Sequence, residues 1–273
     1  MTTTAVSRPT WGAIAFDRLK VELKEFSRSR EQMIFIFAFP LIFMVLFGSM
    51  LGGQVLDGTD VTFAQYFLAG MIATGIINTG FQSLALSISI DRDEDALKRL
   101  HGTPLPATAY FVGKIAQVLL VSVVQIAALV IVGVAFFGVS LPTHASSWAT
   151  FAWVFLLGTG ASTTLGIAVS SLLRNAKAGS AILTPVILFL QFVSGVFFVY
   201  SQVPSWLQHI AELFPLKWLA QGMRSVFLPD SFTAAEVRLS WEHGTAAAVL
   251  AAWFAIGLVV AVRTFRWQRS DDR

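Results

Sequence analysis

The sequence predicts an all-α membrane protein with six transmembrane helices and both termini in the cytoplasm. Three observations lead there. Of the 273 residues 55% are hydrophobic and 13% charged, with 24 Phe and a mean hydropathy of +0.70, far above the balance of a soluble domain. Six uncharged runs are long enough to cross a bilayer, because about twenty residues rising ~1.5 Å each cover the ~30 Å hydrocarbon layer. Finally, 16 of the 19 Lys and Arg fall in the segments that would lie on one face of the membrane, and the positive-inside rule makes that face cytoplasmic.

Taken in order, residues 1–32 carry six basic and four acidic side chains and no apolar core, so they read as a cytoplasmic N-terminus and not as a cleavable signal. Within them, TWGAIAFDRLKVELKEFSR (10–28) sets Phe16, Leu19, Leu23 and Phe26 at spacings of three, four and three, with Asp17, Lys20, Lys24 and Arg28 elsewhere on the wheel. This predicts an amphipathic interface helix on the inner leaflet; a soluble helix packed on a partner would carry the same pattern. The spans follow at 33–52, 65–90, about 115–138, 148–173, 180–200 and 245–262. They make one transmembrane domain, 33–262, ahead of a cytoplasmic tail, 263–273.

Between the fifth and sixth spans, 201–232 divides at Pro215 into pieces of roughly 10 to 12 residues, each too short to cross. They are expected as two short re-entrant or surface helices on the outer face, with Trp206 and Trp218 at the interface. His209, Glu212, Lys217 and Arg224 argue against their full burial.

No Asp, Glu, Lys, Arg or His stands inside any of the six runs. That disfavours transport through an intramembrane carboxylate relay, voltage sensing, and intramembrane proteolysis by paired Asp or a metal. There is no Cys, no His or Cys at ligand spacing beside His209 and no GxxxxGK[ST] loop, so no metal, cofactor or ATP is expected on this chain. Nor does the net charge of +3 form a nucleic-acid patch; the basic residues flank the spans. Uncharged polar groups do occur at membrane depth: Asn78 and Gln82, four apart, then Gln125 and Gln191. These serve either helix-to-helix hydrogen bonds or a substrate path. Gly158, Ser162, Gly166 and Ser170 repeat every four residues, the pattern of a close-packing face, while Pro40 and Pro185 each remove a backbone donor inside a span.

The segment DRDEDALKRLHGTPLP (91–106) is the most charged in the chain and lies between two of its most apolar runs. Acids come first and bases last, which suits a helix dipole. Glu94 with Lys98 and Asp95 with Arg99 are i, i+4 pairs; Ala96, Leu97 and Leu100 form a small apolar patch; Gly102, Pro104 and Pro106 end the helix. Either this is a solvated connection or a docking element.

DRDEDALKRLHGTPLPATAYFVGK, together with SGVFFVYSQVPSWLQHIAELFPLKWLAQGMR (194–224), resembles the membrane subunits of ATP-binding-cassette (ABC) type-2 exporters, in the branch of daunorubicin-resistance-like drug permeases and polysaccharide-export permeases. The similarity runs over essentially the whole chain; Ala96 stands where a Gly is usual and His101 where a basic residue is. What the resemblance implies is a non-catalytic permease of the bacterial cell membrane that exports a drug, an antibiotic, a lipid-like molecule or a lipid-linked polysaccharide. It would pair with a second copy or a paralogous permease, and with two cytoplasmic ABC ATPases holding ATP and Mg. Residues 91–101 would be the coupling helix between spans two and three, with Asp93, Glu94, Ala96, Leu97, Lys98, Arg99 and Leu100 docking on the ATPase. A passive pore or a membrane signalling scaffold is the competing class.

Overall fold

A computed structural model describes residues 10–103 and 106–264. Among these, regular structure is helical apart from one isolated antiparallel bridge between Val55 and Thr62. Helix α1 (Trp11–Arg28) starts at Thr10, whose hydroxyl accepts the Ala13 N–H, and a single residue, Ser29, separates it from α2 (Arg30–Leu51). Helix α3 (Phe63–Ile77), capped by Thr62, widens into a π-helical turn (Asn78–Ser83) before continuing as α4 (Leu84–Asp93). Then come α5 (Ala96–His101), α6 (Ala107–Phe137), α7 (Ala145–Ser170), α8 (Ala176–Val193), α9 (Ser205–Glu212), α10 (Pro215–Phe227) and α11 (His243–Thr264).

Among the described residues six helices are long and apolar enough to cross a membrane: α2, the composite α3–α4, α6, α7, α8 and α11. The Trp11 indole donates to Thr108 at the start of α6, and Thr264 at the end of α11 bonds Ser171 just after α7. The described chain therefore begins and ends at the same end of the bundle, the one that carries α5, as an even number of crossings requires.

Helix α3 is the centre. Every residue from 66 to 77 is buried, which is what a helix apolar on all sides demands. Phe67 meets Phe47 and Phe197 at ring separations of 5.3 and 6.0 Å, and Phe43 closes the group at 5.8 Å from Phe197. The four-residue repeat on α7 packs inside the chain. Gly158 faces Leu219 of α10, Ser162 faces Gly80, and a Cβ on Gly166 would fall 2.6 Å from the Gly80 carbonyl oxygen. The π-helical turn thus lies directly on the small-residue row.

Observed helix ends depart from the ends of the apolar runs. The third begins at Ala107, eight residues ahead of the first apolar position, because Lys114 has partners that let it remain in the helix. The second ends at Asp93, so Asp91, Arg92 and Asp93 are the last turn of a membrane helix. The fifth stops at Val193, not Tyr200, where Gly195 takes a left-handed φ of 72°. A Cβ there would meet Tyr200, Tyr66 and Arg224 at 2.8 to 3.3 Å, so the turn and its crowding both require glycine.

Candidate functional site

The charged segment is not one helix. Helix α4 ends at Asp93, Asp95 adopts a left-handed conformation (φ 56°), and α5 restarts at Ala96 and ends at Gly102. This breaks the two predicted i, i+4 pairs: Lys98 instead reaches Asp95 at 3.0 Å, an i, i+3 contact. The reason is that the first acids are held elsewhere. Asp91 accepts from the Tyr110 hydroxyl at 2.7 Å and pairs with Lys114 at 2.9 Å; Arg92 donates to the Ser170 carbonyl at 2.9 Å; Asp93 accepts the Ala176 N–H at 2.8 Å. Three consecutive side chains thereby tie the end of α4 to α6, α7 and α8. Beyond them Glu94, Asp95, Lys98 and Arg99 are exposed and Leu100 is half-buried. Leu97 is 1% exposed, packed inside this chain and not on the outward side of α5. Pro104 and Leu105 lie outside the described residues.

Helix α1 is docked on the same cluster. Glu22, 1% exposed, bonds Arg18 one turn before it and Lys114 at 2.8 Å. Lys114, also 1% exposed, donates in addition to Ser87 at 2.8 Å. The Arg18 guanidinium lies 5.1 Å over the Tyr110 ring, and Gly113 opens the approach, since a Cβ there would sit 2.7 Å from Arg18 Cγ. Ion pairing has turned the helix relative to its apolar stripe. Phe26 is buried beside Ile36 and Val121, Leu19 and Leu23 are half-buried, but Phe16 is 58% exposed with Lys20 4.5 Å over its ring. Glu25, next to the cluster, has its carboxyl raised above the ordinary range by burial first and Glu22 second. The sequence signal for this site was Glu22 one turn from Arg18, matched by a Gly-Lys pair at the edge of the third apolar run.

At the opposite end two short helices, α9 and α10, break at Phe214 and Pro215. Here burial departs from expectation: Lys217 and Arg224 are inside. Arg224, fully buried, holds the Glu236 carboxylate through Nε at 2.7 Å and Nη2 at 3.2 Å, and donates Nη1 to the Gly195 carbonyl at 3.2 Å. The Tyr66 hydroxyl is 2.8 Å from that same carbonyl. Lys217 donates to Gln221 at 2.7 Å, stands 3.6 Å from Glu242 and lies 3.4 Å over the Trp218 ring. Burial lowers the Lys217 ammonium to about 8 against the pull of Glu242. Both cations find carboxylates beyond residue 232, outside the segment whose charges argued for exposure, and a buried charge with a bonded partner is tolerated where a lone one is not.

The four polar residues considered for a membrane path separate. Gln125 is 1% exposed and committed to internal bonds with Thr79 (3.2 Å) and the Ile36 carbonyl (2.6 Å). Gln191 is buried, and its Oε1, like the Oδ1 of Asn78, has no hydrogen-bond partner among the described residues. Gln82, half-buried like Asn78, donates to the exposed Thr184 at 2.8 Å in mid-α8.

The sequence profile of the ABC-2 type transporter family matches residues 19–228. The chain is 28% identical over 211 residues to the transport permease ycf38 of Porphyra purpurea, covering 74% of this chain and 70% of that one. It is 22% identical over 196 residues to the inner membrane transport permease YadH of Escherichia coli K12 (68% and 72% covered), and 23% identical over 241 residues to the daunorubicin resistance ABC transporter permease protein DrrB1 of Streptomyces coeruleorubidus (85% and 74%). The matched region holds α1 from its middle onward, five of the membrane helices and both short helices, so the chain belongs to the ABC-2 type transporter family and is a multi-pass transport permease.

Proposed function

We propose that this chain is the membrane subunit of an ATP-driven exporter in a bacterial cell membrane, with α5 as its coupling helix. The α5 end faces the cytoplasm in this reading, because the basic flanks gather there, and the tail after α11 is cytoplasmic as well. ATP and Mg are held by separate ABC ATPases, the partners with which permeases of this family normally work. The observation that carries the proposal is the construction of the charged segment. Its first three side chains are bolted to α6, α7 and α8, while Glu94, Asp95, Lys98 and Arg99, which follow them, are exposed. A force on the projecting part is delivered to four membrane helices at once.

The substrate class is amphipathic or lipid-like. Thr184 is exposed at membrane depth with Gln82 beside it, and polar groups there face another protein surface or a wet path, since lipid offers them no partner. Around Thr184 the exposed large side chains of α8 are Ile182, Val186, Leu188, Phe189 and Phe192. A second permease copy set against this face would enclose a mostly apolar passage with a few hydrogen-bonding groups. The drug-resistance relative points in the same direction.

The test uses charge reversal at the projecting residues, Glu94→Lys with Arg99→Glu. The variant is expected to insert at wild-type yield and to lose stimulation of the co-purified ATPase. Normal stimulation by that variant would remove α5 from the coupling role.

A further inference from the structure

In an unbroken helix the carbonyl of residue 36 accepts the N–H of residue 40. Residue 40 of α2 is Pro, which has no N–H. The freed Ile36 carbonyl is buried, and it is not left alone: Gln125 of α6 donates its Nε2 to it at 2.6 Å. Through Oε1 the same amide accepts from Thr79, at 3.2 Å, in the π-helical turn of the second membrane helix. Space for this amide exists because residue 75 is glycine; a Cβ there would lie 2.8 Å from Oε1. One side chain therefore replaces the bond that Pro40 removes and joins it to the π turn. Both features are breaks in helical bonding, the usual sites of bending in membrane helices.

The geometry points to Gln125 as a positioning residue for transport: it sets the bend of α2 from the π turn and makes the two breaks move together. Its position also connects to the cytoplasmic-facing cluster. A cavity of about 10 Å³, room for a single water, lies alongside, lined by Gln32, Ile36, Thr79, Ser83, Ser87 and Gln117 among others. Ser87 is the residue to which Lys114 donates. Polar groups thus run from the charged cluster that holds α1 and the end of α4 to the break in α2. As a transport role this rests on the exporter reading above; as a statement about the bend it does not.

The test is a mutant cycle of Gln125→Leu, Pro40→Ala and the double variant. Because the chain has no cysteine, nitroxide labels can be placed by Ile34→Cys and Met50→Cys, both exposed on α2 on either side of Pro40 and roughly 24 Å apart along a helix. In purified chain reconstituted in lipid nanodiscs, Gln125→Leu should broaden the inter-label distance distribution. The double variant should restore a single narrow one, since alanine returns the missing N–H. Coupled ATPase stimulation should fall about five- to thirty-fold in Gln125→Leu, the effect of leaving one buried acceptor unpaired, and recover in the double variant. A double variant as impaired as Gln125→Leu, in distance and in coupling, overturns the proposal. Should Gln125→Leu not fold, Gly75→Ala displaces the same amide without removing it. It is expected to broaden the distribution alone and to be relieved by Pro40→Ala, and absence of relief is again a refutation. The distance measurement needs no ATPase, so failure of the exporter reading leaves it decisive.

Discussion

Replacing Lys114 by Met removes a cation shared by α1 and the end of α4. The side chain makes contacts of 2.8 Å to Glu22, 2.9 Å to Asp91 and 2.8 Å to Ser87. Methionine fills much of the volume but leaves two carboxylates facing an apolar group. Removing one member of a buried ion pair costs about 3–5 kcal/mol. The lower end applies, because Arg18 still faces Glu22 and the Asp91 side chain retains 15% exposure. About 3 kcal/mol is more than a hundredfold in an opening equilibrium. Since α1 is joined to the bundle chiefly through this cluster and Phe26, the opening should be local. Amide hydrogen exchange across residues 11–28 should accelerate by roughly that factor while α3 stays protected. As a control, Lys20→Met breaks the exposed pair with Asp17 and the contact over the exposed Phe16 ring and should change exchange little, exposed pairs being worth about 0–1 kcal/mol. Exchange in α1 of Lys114→Met within about threefold of wild type would refute the view that this cluster holds the helix.

Further expectations concern the other sites. Gly166→Ala places a Cβ against the Gly80 carbonyl, a backbone atom that cannot step aside, and should lower stability by about 1–3 kcal/mol in detergent melts; an unchanged melt would show that α7 and the π turn are not tightly apposed. Arg224→Lys keeps the charge but loses the forked grip on Glu236 and the bond to Gly195, so thermal stability should drop even though the substitution looks conservative. Lys217 titrates about 8 when folded and at the ordinary 10.5 when unfolded. Its lowered value means that folding favours the neutral amine, so its contribution to stability should rise as pH climbs from about 8 toward 10.5 and be lost as pH falls through about 8. Melting wild type and Lys217→Met across that range checks it: the difference between them should shift in favour of wild type at the alkaline end.

The number and order of membrane helices were legible because hydrophobic length is a direct physical requirement of the bilayer. So were the break at Pro215 and the close-packing row on α7. What escaped was the role of charge where helices meet. Lys114 and Asp91 stand outside the apolar runs, so their helices were drawn too short; only the position of Glu22, Arg18 and Tyr110 around them explains how they stay helical. Lys217 and Arg224 read as exposed for the same reason: their partners, Glu242 and Glu236, lie in the connection before α11, and no local spacing links them. The charged segment was recognised as a distinct element, yet its helical pairs failed because Asp91, Arg92 and Asp93 are bonded to α6, α7 and α8, contacts between residues 19 to 83 positions apart. Gln125 was noted as polar in a span; that it answers Pro40 depends on α6 lying beside α2, which only the fold supplies.

In the proposed exporter, α5 is where an ATPase acts on this chain. The most direct measurement is site-directed cross-linking in native membranes, using the cysteine-free chain with Arg99→Cys on the exposed side of α5 and, in parallel, Trp206→Cys at the far end. An adduct is expected between position 99 and an ATPase bearing a phosphate-binding loop, altered by ATP, with none from position 206. An ATPase adduct at 206, or a position 99 that cross-links only to other proteins while the ATPase co-purifies, would contradict it.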